Sequence, residues 1–167
     1  MAREFDNALR LPTEYYAPIG EVIYRWAQLE YQMHEIIWRS LGIDNKTGRT
    51  LTIGMDARTL CGILGTLTKR WLTHPTEKQM ANSIAKGVRK LANFRNHLAH
   101  GSWQYQKGGD PNDVWMVYQK EDRILPRAKK HPPPEIHDHA TTLRRLNDKA
   151  QKLIHRLDAR PAPQLRP

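Results

Sequence analysis

The stretch Phe94-Arg95-Asn96-His97-Leu98-Ala99-His100-Gly101 gathers the side chains best suited to chemistry. Arg95 follows Leu91 by four residues and precedes Leu98 by three, so on a helix it sits on or beside the apolar stripe. A guanidinium is costly to bury unpaired. It needs an acid, an anionic ligand or a subunit interface. Asn96 and His100 are four apart and project from one helical face. Histidine titrates near neutrality and suits proton transfer. A base, an acid and a cation close to a phosphate are the minimum set for cleaving RNA by its own 2′-hydroxyl.

The same residues admit plainer roles. Glu30 lies four residues after Trp26 and three before Met33, also within an apolar stripe. A Glu30–Arg95 tie between two helices would satisfy both charges. His100 could simply close a helix, where an imidazolium favours the negative dipole end.

These residues need helices to position them, and the apolar spacing supplies four. The first is predicted from Pro18 to Leu41, with Pro18 in its first turn and Gly42 at its stop. Residues 43–55 read as a loop around Gly48 and Gly54. Asp56 is expected to cap a second helix from Ala57 to Trp71. There Gly62 and Gly65 could let another helix approach closely. Pro75 opens a third helix, from Thr76 to His100, and Gly101 follows as a C-terminal stop. A last helix is predicted from Glu135 to Leu157, after Pro132-Pro133-Pro134.

Between the last two helices the period changes. Trp103 and Tyr105 alternate with polar residues, residues 108–113 form a dense turn signal, and Val114 to Tyr118 reads as a strand. The expected fold is all-α, a four- to five-helix bundle with a β-hairpin insertion near residues 102–125. It is expected as one domain over residues 15–158, with a polar lead-in (1–14) and a disordered tail (159–167).

Composition narrows the function. The chain has 167 residues, 39% apolar and 26% charged, enough for a core. No run approaches the ~20 apolar residues of a membrane span, and the acidic start does not resemble a secretory signal. Cytoplasmic localisation without membrane association is expected. The net charge is +10, carried by residues 44–167, because the first 43 residues are slightly acidic. A basic body of this kind favours a polyanion, though it also serves solubility.

Weaker signals are present. His131, His137 and His139 surround prolines, but no Cys supports a metal site there and His137 and His139, two apart, diverge on a helix, whereas His97 and His100, three apart, could share a metal. Trp103, Tyr105, Trp115 and Tyr118 could stack bases or pack the hairpin onto the helices. The lone Cys61 lies among apolar residues and reads as an inert buried thiol.

Arg95-Asn96-His97-Leu98-Ala99-His100-Gly101 resembles the R-x4-H motif of the HEPN superfamily, with its usual polar residue after the arginine. Trp26-Ala27-Gln28-Leu29-Glu30 also resembles the first helix of some bacterial members. The resemblance implies a helical bundle with the motif late in a helix, and commonly a metal-independent endoribonuclease without cofactor. It implies that two protomers of a homodimer build one composite site. His100 would act as general base or acid, Arg95 would hold the scissile phosphate, and Asn96 would orient the phosphate or the histidine. Glu30 and His97 would be supporting residues. The products would be a 2′,3′-cyclic phosphate and a 5′-hydroxyl. RNA is the implied partner, and many members are toxins or defence effectors encoded beside an antitoxin. Other members only bind RNA or nucleotides, and a purely structural or interaction protein is the remaining alternative.

Overall fold

The structure is a computed structural model that describes residues 5–6, 11–106, 114–118 and 127–160. The chain is all-α in class, with five helices and a small β-insertion among the described residues. In order these are β1 (Phe5–Asp6), α1 (Thr13–Leu41), α2 (Asn45–Thr52), α3 (Ala57–Arg70), α4 (Pro75–His100), β2 (Ser102–Gln106), β3 (Val114–Tyr118), β4 (Arg127–Lys130) and α5 (Pro133–Asp158). No helix among them is long and apolar enough to cross a membrane. The chain divides into two compact units. One comprises residues 1–24 and 93–141, the other residues 25–92 and 142–167. Helices α1, α4 and α5 each contribute residues to both.

The first unit holds the sheet, which is antiparallel throughout with strand order β1-β2-β3-β4. In β3, Val114 and Met116 are buried while Trp115 and Val117 are half-exposed, the alternation of a strand with one covered face. Buried Phe94, Leu98, Ile136 and Ala140 add helical apolar surface. The expected hairpin is therefore present, and it is extended on both sides. Its turn signal at residues 108–113 lies outside the described residues. β4 pairs Trp115 with Lys130 and Met116 with Lys129. It was not foreseen, because Arg127–Lys130 contains no β-branched or aromatic residue.

α1 begins five residues before the expected start, so Pro18 lies inside the helix rather than opening it. There it gives up the bond back to the Glu14 carbonyl and its ring crowds that carbonyl, a cost that packing of the added turn must offset. The added turn is held by Tyr15, 4% exposed, whose ring meets Trp103 edge-on with centroids 5.6 Å apart. Residues 13 and 14, expected in the lead-in, are thus helical; residues 1–4 and 7–10 lie outside the described residues.

The second unit packs the apolar faces of its helical segments, with Leu29, Met33, Ile36, Leu60, Leu64, Ile84, Leu143 and Leu153 at most 1% exposed. Asp56 Oδ1 accepts from the Thr59 amide at 2.8 Å, the expected cap of α3. The loop expected at residues 43–55 instead contains α2, capped by Asp44, which accepts from the Lys46 and Thr47 amides. Gly48 does not break this helix. It allows a close approach, since a Cβ there would strike the Trp38 ring. The approach expected at Gly62 and Gly65 is not found: a Cβ built at either would meet nothing within 4 Å among the described residues.

Cys61 is buried, and burial pushes its thiol above the usual range. Glu77, 3% exposed, is paired with Arg160. Ala159 and Arg160, placed in the tail by sequence, still donate to carbonyls of α5. Residues 161–167 lie outside the described residues.

Candidate functional site

The candidate site occupies the last turns of α4, in the first unit. Phe94 and Leu98 turn inward, 8% and 5% exposed, and set the rotation of the helix. Arg95 and His97 are consequently half-buried, whereas Asn96 and His100 are exposed together on one face. Arg95 Nη1 donates to Asn96 Oδ1 at 3.1 Å, and its Nε is buried. Neighbours one residue apart thus share a hydrogen bond that turns the guanidinium toward the exposed side. His100 makes no hydrogen bond or ion pair among the described residues. Both imidazoles lie in the last turn of α4.

His97 differs from His100. Burial, and secondly the positive charge of Lys129, holds its imidazole below the usual 6.5, so the neutral ring is favoured.

Gly101 ends the helix without a left-handed backbone, since among the described residues only Gly42 and Gly54 have positive φ. Its amide donates to His97 O at 2.7 Å. A Cβ at Gly101 would come within 2.5 Å of that same oxygen and 2.8 Å of Met116 Cγ. The chain therefore needs glycine here to pass from α4 into β2 against the buried Met116. The reason is close approach, not the C-terminal turn expected from sequence.

The His-rich segment acts behind the motif. Glu135 Oε1 lies 3.2 Å from His131 Nδ1, 3.7 Å from Lys129 Nζ and 3.9 Å from His139 Nε2. His131 is 2% exposed, and burial outweighs the Glu135 charge to lower its pKa. His137 is apart from this group, 4.0 Å from Glu21. No group of three or more His, Cys, Asp or Glu side chains among the described residues is arranged to hold a metal ion.

Two of the hairpin aromatics have described side chains. Trp103 meets Tyr15, and Lys130 Nζ lies over the Trp115 ring at 5.0 Å. The side chains of Tyr105 and Tyr118 lie outside the described residues. Lys129, whose charge acts on His97, has one signal in the sequence, its closeness to His131, which gains meaning only once β4 pairs with β3.

Glu30 is half-buried on α1 in the second unit, one turn before His34, whose pKa its charge raises against the larger effect of burial. Arg95 belongs to the first unit, and the Glu30–Arg95 tie stays an expectation of the sequence. No family model, curated protein or solved structure matches this chain.

Proposed function

We propose that the chain is a HEPN-like, metal-independent endoribonuclease. The substrate's 2′-oxygen attacks the adjacent phosphorus and the 5′-oxygen leaves, giving a 2′,3′-cyclic phosphate and a 5′-hydroxyl. His100 moves the proton, Arg95 neutralises the phosphate, and Asn96 aims the guanidinium. A second protomer supplies the other half of the acid–base pair, so the working form is a homodimer. A role as a cytoplasmic toxin or defence effector with an antitoxin partner follows from the same resemblance.

The observation that supports this reading is the grouping at the end of α4: exposed Asn96 and His100 one turn apart, with Arg95 hydrogen-bonded to Asn96. The +10 charge supports a polyanionic substrate. That His100 lacks a partner among the described residues suits a base that meets its partner only in the dimer or on RNA. It equally favours a second reading, an RNA-binding module that does not cleave.

One experiment separates them. Purified protein is incubated with varied RNAs in EDTA. Cleavage with cyclic-phosphate ends, lost in His100→Ala and on a 2′-deoxy substrate, is the expected result. The loss should be ~10²–10⁴-fold. Binding without cleavage would select the second reading, and a requirement for Mg²⁺ would remove the mechanism.

A further inference from the structure

A pocket of about 300 Å³ opens on the second unit, at α1, α2 and the turn after α2. Its walls are aromatic and aliphatic, with a sparse polar complement. Trp38 forms the floor, only 2% exposed. The indole is fixed, since Trp38 Nε1 donates to Thr52 Oγ1 at 3.2 Å and that hydroxyl donates to Gly48 O at 2.9 Å. Tyr31 stands edge-on to the indole with centroids 6.3 Å apart, and the His34 ring lies 6.0 Å from it. At the rim, Tyr31 is 44% and Ile53 85% exposed.

Two side chains at this pocket lack hydrogen-bond partners among the described residues. His34 Nδ1 is buried without one. Arg49, which also lines the pocket, makes no hydrogen bond or ion pair among the described residues. A buried imidazole nitrogen left unsatisfied costs free energy that a ligand group could recover. An unpaired guanidinium favours a carboxylate held bidentately. Flat apolar walls favour a ring.

We propose that this pocket binds a small planar aromatic acid, its ring between Tyr31 and Ile53 over Trp38, its carboxylate on Arg49 and its ring hydroxyl or N–H on His34 Nδ1, which a turn of the imidazole brings out to the pocket. Ligand clefts span roughly 300–1,000 Å³, so this one takes one or two rings and no more. The burial that lowers the His34 pKa keeps its imidazole neutral, able to accept from a hydroxyl or donate to an oxygen according to tautomer. The site uses no residue of α4, so it stands or falls separately from the ribonuclease reading.

The test is a titration of the ¹⁵N-labelled full chain with 4-hydroxybenzoate and with indole-3-acetate. Saturable shifts at the Trp38 indole N–H and the Gly54 amide are expected. Arg49→Gln should weaken binding about 10-fold or more, the usual scale of a charge-assisted pair. The exposed Arg49 holds no contact that the fold needs. The uncharged 4-hydroxybenzyl alcohol should bind the unaltered chain about 10-fold more weakly, which tests the carboxylate without any variant. Absent or unsaturable shifts, equal binding of acid and alcohol, or full affinity in Arg49→Gln would overturn the proposal. Tighter binding of adenosine monophosphate would overturn the carboxylate assignment in favour of a phosphate ligand.

Discussion

Phe94 stacks on His139, with ring centroids 3.7 Å apart and planes inclined by 33°. His131 meets the same phenyl ring edge-on at 5.0 Å. Phe94 directly precedes Arg95, so this aromatic cluster joins the motif end of α4 to the start of α5. Phe94→Ala removes the ring on which both imidazoles rest. It should destabilise the protein by about 3 kcal/mol, the usual scale for a buried phenylalanine. Urea unfolding would measure it. A loss under about 1 kcal/mol would mean that the cluster adds little to the anchoring of the motif helix.

Stability should fall as the medium is acidified below neutrality. Burial is the largest cause of lowered pKa at His34, His97 and His131, each below the ordinary 6.5. The unfolded chain therefore takes up protons at these sites before the folded chain does. Their contribution is full above pH 6.5 and is lost as pH falls toward the folded values. At His131 the facing groups are Glu135, which raises the pKa, and Lys129 and His139, which lower it. Each such group can contribute up to about 1.4 kcal/mol per pH unit. Unfolding midpoints at pH 7.5, 6.5 and 5.5 would reveal the slope. His131→Gln should flatten it, and an unchanged slope would place the titration elsewhere.

The long helices were legible because their apolar residues recur at three and four, and because Asp56 offers its cap where the spacing begins. β3 was legible as a run of β-branched and aromatic residues, Val114 to Tyr118, that follows a dense turn signal. α2 was hidden, because Gly48 reads as a breaker until Trp38 is seen packed against it. β4 was hidden too, since its pairing with β3 is a tertiary event that a run of basic residues does not announce. At the site, the shared face of Asn96 and His100 followed from helical spacing alone. The neutral tendency of His97 did not, because it depends on burial and on a lysine from another element. The pocket around Trp38 is invisible for the same reason: α2, which supplies Arg49 and Thr52, has the composition of a loop.

Gly101→Ala should be destabilising although the backbone there is ordinary. The added methyl would meet His97 O and Met116 Cγ well inside contact distance. Met116 is fully buried, at 0% exposure, so it has little room to yield. Overpacking of this kind typically costs 1–3 kcal/mol, so a loss of about 2 kcal/mol is expected. Met116→Ala opens a cavity and is destabilising by itself, but it should cost less in the Gly101→Ala background than in the unaltered chain, because there it relieves one of the two clashes. Thermal unfolding of both single variants and the double would decide; strictly additive losses would assign the clash to His97 O alone.

The Arg95–Asn96 hydrogen bond makes a prediction about coupling. If Asn96 acts by aiming the guanidinium, it is a positioning residue and its effect requires Arg95. Asn96 is exposed, so Asn96→Ala should change stability by no more than about 0.5 kcal/mol. It should lower kcat/KM for RNA cleavage by about 10-fold, with most of the fall in kcat, because a misaimed cation fails chiefly where charge develops on the phosphate. Arg95→Ala should lose more, on the order of 10²-fold. The double variant should be no worse than Arg95→Ala alone, since with no guanidinium there is nothing left to aim. The same cycle read in RNA affinity extends the test to a protein that binds without cutting. Additive losses in both readouts would show that Asn96 meets the RNA on its own account.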